Sequence, residues 1–377
     1  MAEERKQPEL RFKGFTDDWI QDKLHELTVI NSGKDYKNLS EGHIPVYGTG
    51  GYMLSVNKSL SDIDAVGLGR KGTIDNPIYL KAPFWTVDTL FYITTQQQNN
   101  IMFFYYLFKT INWKKYNEAS GVPSLSKQTI YSISVKVPNT FEQSKISKLF
   151  YSLDRIITLE QQKIEKLELL KQYLLQNMFA DESGYPNLRF RGYTGPWFKN
   201  KGKNIFKKIT EKKQAHLPVL SATQDKGMVL RDEFNERLQY DRKNLSNYKV
   251  VRPGQFVVHL RSFQGGFAHS NYLGITSPAY TIFDFINTNE HNDIYWKFYF
   301  ANDHFILLLE KVTYGIRDGR TINFSDFCTL NINFPSLSEQ NKIAKLLFSL
   351  DSLINLRTTK LENLTSLKQK LLSSLFI

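Results

Sequence analysis

The chain has 377 residues, 41% of them hydrophobic and 14% aromatic, enough to bury two or three cores and too apolar for an unfolded chain. Its one cysteine, Cys328, excludes an internal disulfide and a cysteine-built zinc site, and no apolar run reaches membrane-spanning length, so a soluble, cytoplasmic protein is expected. The net charge of +12 admits an acidic partner and is uneven, +2 over residues 8–137 against +8 over residues 186–334.

The first eight residues carry Glu3, Glu4, Arg5 and Lys6 with no apolar segment behind them, which does not read as a signal peptide. Pro8-Glu9-Leu10-Arg11-Phe12-Lys13-Gly14-Phe15-Thr16 with Trp19 then opens the first half. Beyond it, short strands alternate with turns, two of them expected at 65–68 and 86–93, followed by an aromatic-rich helix at 100–113. The run from Gly67 to Gly72 spells the dinucleotide pattern G-x-G-x-x-G, but Asp75-Asn76-Pro77 interrupts the helix that should follow it. It reads either as a plain glycine turn or as a basic loop from which Arg70 and Lys71 reach phosphates or guanine edges.

From Ile146, apolar positions step by four and three through Phe150, Leu153, Ile157, Glu160, Ile164, Leu167, Lys171, Leu174 and Met178, a heptad seam on one long helix. A short linker at 180–185 leads into Pro186-Asn187-Leu188-Arg189-Phe190-Arg191-Gly192-Tyr193-Thr194 with Trp197, a copy of the opening segment 178 residues on. In the second half Lys207-Lys208 and Lys212-Lys213 read as a solvated face or as phosphate contacts. Strands are expected at 254–260 and 280–285 and a helix at 291–310. Arg261 and Gln264 stand beside a glycine hinge, and Arg317 and Arg320 in a second glycine-containing loop; arginine pairs with guanine and glutamine with adenine, while the same types also serve ordinary turns. The counterpart of that loop in the first half, residues 120–126, lacks the arginines, so it reads equally as a shaper of the strand entering each long helix.

Glu142-Gln143, Lys145-Ile146 and Ser152-Leu153-Asp154 return 197 residues later as Glu339-Gln340, Lys342-Ile343 and Ser349-Leu350-Asp351. The second seam runs Ile343, Leu347, Leu350, Ile354, Arg357, Leu361, Leu364, Lys368, Leu371 and Leu375. The frame is duplicated, with 19 extra residues in the second middle, and the middles show no comparable match. A helix from 146 to 179 would span about 50 Å. A compact domain with a radius of gyration of about 15 Å cannot bridge that length, so the two helices are expected to pair antiparallel. Glu160 would then face Arg357 at the centre. The alternative is two amphipathic helices that pack on separate domains.

No phosphate loop, nucleophile elbow or metal-ligand cluster is present in the sequence. Asp75-Asn76-Pro77-Ile78 lacks the second proline and the aromatic of the amino-methyltransferase motif, and Glu211-Lys212-Lys213 lacks the upstream acid of a nuclease. No catalytic or metal-binding residue is therefore assigned.

The twice-written Leu-Arg-Phe-x-Gly-[FY]-Thr…Trp at Leu10 and Leu188, and Pro…Glu-Gln-x-Lys-Ile…Leu-Asp at Pro138 and Pro335, resemble the specificity subunit of type I restriction-modification systems over essentially the whole chain. The resemblance implies a mixed α/β fold of two target-recognition domains related by pseudo-two-fold symmetry and separated by two long antiparallel coiled-coil helices. Its divisions fall at 8–137, 138–179, 180–185, 186–335 and 336–377. It further implies double-stranded DNA with a bipartite asymmetric site as the ligand, two modification subunits on the helices, and restriction subunits. S-adenosylmethionine, ATP and magnesium would belong to those partners, and none to this chain. A stand-alone DNA-binding regulator and a coiled-coil adaptor that binds only proteins are the competing readings.

Overall fold

The computed structural model describes residues 6–96, 98–223, 226–231, 242–258, 266–312 and 323–377. Its contacts divide the chain into two units, residues 1–162 with 359–377, and residues 163–358.

Unit 1 runs β1 (Ile20–Lys23), α1 (Leu24–Leu27), β2 (Thr28–Ser32), β3 (Glu41–Gly48), β4 (Gly51–Val56), β5 (Ala65–Gly69), β6 (Ile78–Leu80), β7 (Trp85–Thr86), β8 (Leu90–Thr95), α2 (Ile101–Thr110), α3 (Lys127–Ser132), β9 (Ser134–Val137) and the start of α4 (Thr140–Asn177). An antiparallel sheet β2-β8-β5-β6 carries the core, beside a three-stranded sheet β4-β3-β7 and the pair β1-β9. Every residue of β5 is buried. Its glycines answer to packing: a Cβ on Gly69 would stand 2.0 Å from the Thr73 carbonyl oxygen, and one on Gly67 3.2 Å from the Leu80 side chain. The strand expected at 86–93 is interrupted, because Leu90 N donates to the Val87 carbonyl in a turn between β7 and β8. The helix expected at 100–113 stops at Thr110 and is followed by a 3-10 turn, Trp113–Tyr116.

Unit 2 ends α4 and continues with β10 (Phe198–Lys201), β11 (Phe206–Ile209), β12 (Leu220–Ala222), β13 (Met228–Leu230), β14 (Lys249–Val251), β15 (Phe256–Val258), β16 (Phe267–His269), β17 (Gly274–Thr276), β18 (Thr281–Phe285), α5 (Asp293–Tyr299), α6 (Asp303–Glu310), α7 (Phe324–Phe327), β19 (Asn331–Phe334) and most of α8 (Leu337–Leu375). Its antiparallel sheet β11-β18-β15-β16 parallels that of unit 1, and β10 pairs with β19 as β1 does with β9. The single helix expected at 291–310 is two. Asn302 is buried and its side chain accepts from Phe305 N at 3.0 Å, so a polar cap restarts the helix inside an aromatic run. Phe206, Phe256, Phe283, Trp296, Phe300 and Phe327 pack the core, a ring cluster that area burial alone makes strongly stabilising.

The repeated motifs meet in the same way in each unit. In unit 1 Arg11 Nε and Nη2 each donate to the buried Glu142 carboxylate at 2.8 Å. In unit 2 Arg189 does so to Glu339 at 2.8 and 2.9 Å. These forked bonds, with burial opposing them, raise both guanidinium pKa values further. Gln143 accepts from Asn100 N at 3.0 Å and donates to the Pro138 carbonyl at 3.0 Å; Gln340 repeats both with Asn292 and Pro335 at 2.9 Å. Asn100 and Asn292 in turn cap α2 and α5. The opening tryptophans, Trp19 and Trp197, are buried in the two cores.

Within each unit the long helices run antiparallel. In unit 1 Ile146 and Phe150 of α4 share a core with Leu375 and Phe376, Lys368 is paired with Asp154, and Lys360 Nζ donates to the buried Glu160 carboxylate at 3.0 Å. In unit 2 Leu174 and Met178 share a core with Ile343, Leu347 and Leu350, and Lys171 pairs with Asp351 at 2.6 Å. Leu153 and Ile164 are buried, while Ile157, Leu167, Ile354, Arg357, Leu361 and Leu364 are half-buried, with exposed residues between them. The charged seam positions Lys171 and Lys368 take corresponding aspartates in the two units.

Candidate nucleic-acid interface

In unit 1 the central strand β5 ends in a tight turn whose backbone is held on both sides. Arg70 N donates to the Thr89 carbonyl at 2.8 Å, Gly72 N to Pro123 at 2.8 Å, and Leu125 N to Arg70 at 2.9 Å. Gly72 has φ near +100°, a conformation that glycine adopts without steric cost. Lys71 forms a bridge with Ser124, so the basic turn and the loop at 120–126 lie side by side. Asn117 shapes that loop by accepting from Ala119 N and Ser124 N at 3.1 and 2.9 Å. Thr129 and Ser126 donate to Glu118, and these bonds hold its carboxyl below the usual range.

The result is a cleft of about 750 Å³ lined by Ser32, Arg70, Lys71, Phe91, Ser124 and Lys127, among others. Arg70 and Lys127 each stand 5.9 Å from the centre of the Phe91 ring. The Phe91 ring is itself buried in the core, so what the cleft offers a ligand is its cations, which suit a polyanion. Lys127 is not singled out by the sequence pattern; it directly follows the loop at 120–126, and extending that loop by one residue would include it.

In unit 2 Lys207 and Lys208 are exposed on β11, which among the described residues is an edge strand bonded within its sheet only to β18. Lys207 stands opposite Asp284. Arg261, Gln264, Arg317 and Arg320 lie outside the described residues. Among the described residues no cluster of histidine, cysteine and carboxylate could hold a metal ion, and no helix is long and apolar enough to cross a membrane. His269 and Asp293 stand 2.8 Å apart in unit 2; burial pushes the Asp293 carboxyl up, and the histidine together with backbone N–H groups more than offsets this and holds it below its ordinary range. Cys328 is buried, and burial pushes its thiol up to about 11, away from the reactive thiolate.

A family model described as the type I restriction modification DNA specificity domain matches the chain twice, over residues 16–169 and 198–366. The chain belongs to this family. Each match begins near a repeated opening segment and ends within a long helix, so the specificity domain is present in two copies. The crystal structure of a type I restriction-modification system S subunit from M. genitalium has the same fold, with a TM-score of 0.68 at 13% identity over 98% of this chain and 99% of that one. The HsdS subunit from Thermoanaerobacter tengcongensis gives a TM-score of 0.46 at 14% identity, over 95% and 96% of the two chains. A comparison with curated proteins finds no match.

Proposed function

We propose that this chain is the sequence-reading subunit of a type I restriction-modification complex, with each unit reading one half of a bipartite, asymmetric double-stranded DNA site. The observation that carries the reading is the double family match on a duplicated frame whose middles differ. Two like frames with unlike reading surfaces are what an asymmetric site requires. The cleft at Arg70, Lys71 and Lys127 supplies cations in unit 1. Lys207 and Lys208, with Arg261, Gln264, Arg317 and Arg320, are the corresponding candidates in unit 2.

The long helices carry the partner reading. Tyr151, Ile156, Leu159 and Leu367 are exposed in unit 1, and Phe348, Leu353, Leu356 and Leu170 at the corresponding repeat positions in unit 2. Exposed apolar side chains at matched positions fit one kind of partner bound twice, here the modification subunits. Those subunits would use S-adenosylmethionine to methylate adenine. Restriction subunits would use ATP and magnesium, and this chain would contribute recognition without bond chemistry.

Exchanging residues 186–334 for the equivalent segment of another family member, followed by mapping of methylated adenines with the partners present, tests the division of labour. One half-site should change; a change in both halves would refute it. A stand-alone regulator would form no stable complex with a modification subunit, and a protein-only adaptor would show no salt-dependent DNA binding.

A further inference from the structure

Three lysines of unit 2 are brought together from separate segments, and the one acid among them, Glu211, is taken by Arg252. Lys208 is exposed on the edge strand β11, and the chain then passes through Glu211, Lys212 and Lys213. Val250 N donates to the Glu211 carbonyl at 2.9 Å and Lys213 N to Ser246 at 3.2 Å, fixing this segment against β14, whose first residue is Lys249. Lys213 has φ of 67°, the left-handed region, and is the one non-glycine residue with positive φ among those described. Such strain in an ordinary side chain points to a backbone held for a purpose. The Glu211 carboxylate is occupied by Arg252 at 3.0 to 3.2 Å. Lys249 Nζ donates to the Tyr280 carbonyl at 2.6 Å, and among the described residues no carboxylate pairs with Lys208, Lys212 or Lys249. Burial lowers the Lys249 pKa, and the charges of Lys208 and Lys212 lower it further. Like charges gathered this way oppose folding until an anion sits among them.

We infer that Lys208, Lys212 and Lys249 form a phosphate-holding surface of unit 2 that grips the sugar-phosphate backbone of duplex DNA, a site that rests on the DNA-reading function proposed above. It carries affinity and register, while base discrimination lies elsewhere in the unit. The surplus positive charge of the second middle thus has a location and a use.

The test is binding of the full chain to a labelled mixed-sequence duplex of about 40 base pairs, between about 50 and 200 mM salt. Each phosphate that the protein no longer neutralises should flatten the slope of log K against log salt by about 0.9, so the triple Lys208→Gln, Lys212→Gln, Lys249→Gln variant should have a slope shallower by about two to three. Lys203→Gln, one exposed lysine neutralised elsewhere in unit 2, should leave the slope near that of the wild type. The urea midpoint of the triple variant should be equal to or above that of the wild type, since repulsion is removed. A wild-type slope in the triple variant, a lower midpoint, or an equal effect from Lys203→Gln would overturn the assignment. Absence of salt-dependent binding by the wild-type chain would instead overturn the DNA-reading function itself.

Discussion

At the scale of single residues, the repeated motifs acquire a physical reason. The arginine of each opening segment and the glutamate of each closing segment are one buried, forked ion pair, Arg11 with Glu142 and Arg189 with Glu339. Removing one partner leaves the other charge buried and unpaired, so Arg11→Ala and Arg189→Ala should each cost about 3 to 5 kcal/mol of unfolding free energy, measured in urea. Losses below about 1 kcal/mol would mean that water repairs the site. His291 supplies a pH dependence. Its ring stacks on Phe285 with centroids 4.9 Å apart, and burial pushes its pKa from 6.5 down to about 4, against a small opposing effect of Glu290. As pH falls below about 6.5 the unfolded imidazole takes up a proton that the folded one refuses. The resulting stability is therefore full above that pH and declines towards pH 4. His291→Phe should flatten this acid limb in urea midpoints taken at several pH values, and an unchanged limb would assign it to other groups. These pairs could be named from the sequence as repeats, but their mutual contact could not, since Arg11 and Glu142 are 131 residues apart.

At the scale of elements, α4 and α8 were legible because a heptad seam repeats many times, and each repetition reinforces the same face. The break between α5 and α6 was not legible. Phe298, Phe300 and Phe305 continue the apolar pattern across it, and the deciding feature is the side-chain bond of buried Asn302. The cleft of unit 1 was legible in its parts, a basic turn and a glycine-containing loop, while their junction through Lys71 and Ser124 depends on tertiary folding. The two faces of α8 should respond differently to truncation. Leu347→Ala, at a fully buried seam position, should lower stability by about 2 to 5 kcal/mol. Leu356→Ala, on the exposed face, should leave stability within about 0.5 kcal/mol and weaken capture of a modification subunit in co-purification. Equal destabilisation by both would place Leu356 inside the core instead of at an interface.

For the whole molecule, duplication was legible as two matched ends around unmatched middles, and the middles stayed opaque because nothing repeated there to reveal what was fixed. Short strands of three residues, such as β12 to β17, carry little periodicity for a sequence to display. If α4 and α8 act as a spacer between two half-sites, adding one heptad to each should change the gap between methylated adenines by a whole number of base pairs while the bases read stay the same. An unchanged gap would remove the helices from that role.

Each opening segment is also stitched to the close of a long helix: Leu188 N donates to the Asn177 carbonyl at 2.8 Å, and Leu10 N to the Ser374 carbonyl at 2.9 Å. The first stitch follows the chain and the second joins residues near its two extremities. The same bond closes both units, in unit 1 between segments far apart in the sequence and in unit 2 across the linker at 180–185. A circularly permuted protein, joined by a short linker across the old ends and opened in that segment, should keep its melting temperature and its DNA target.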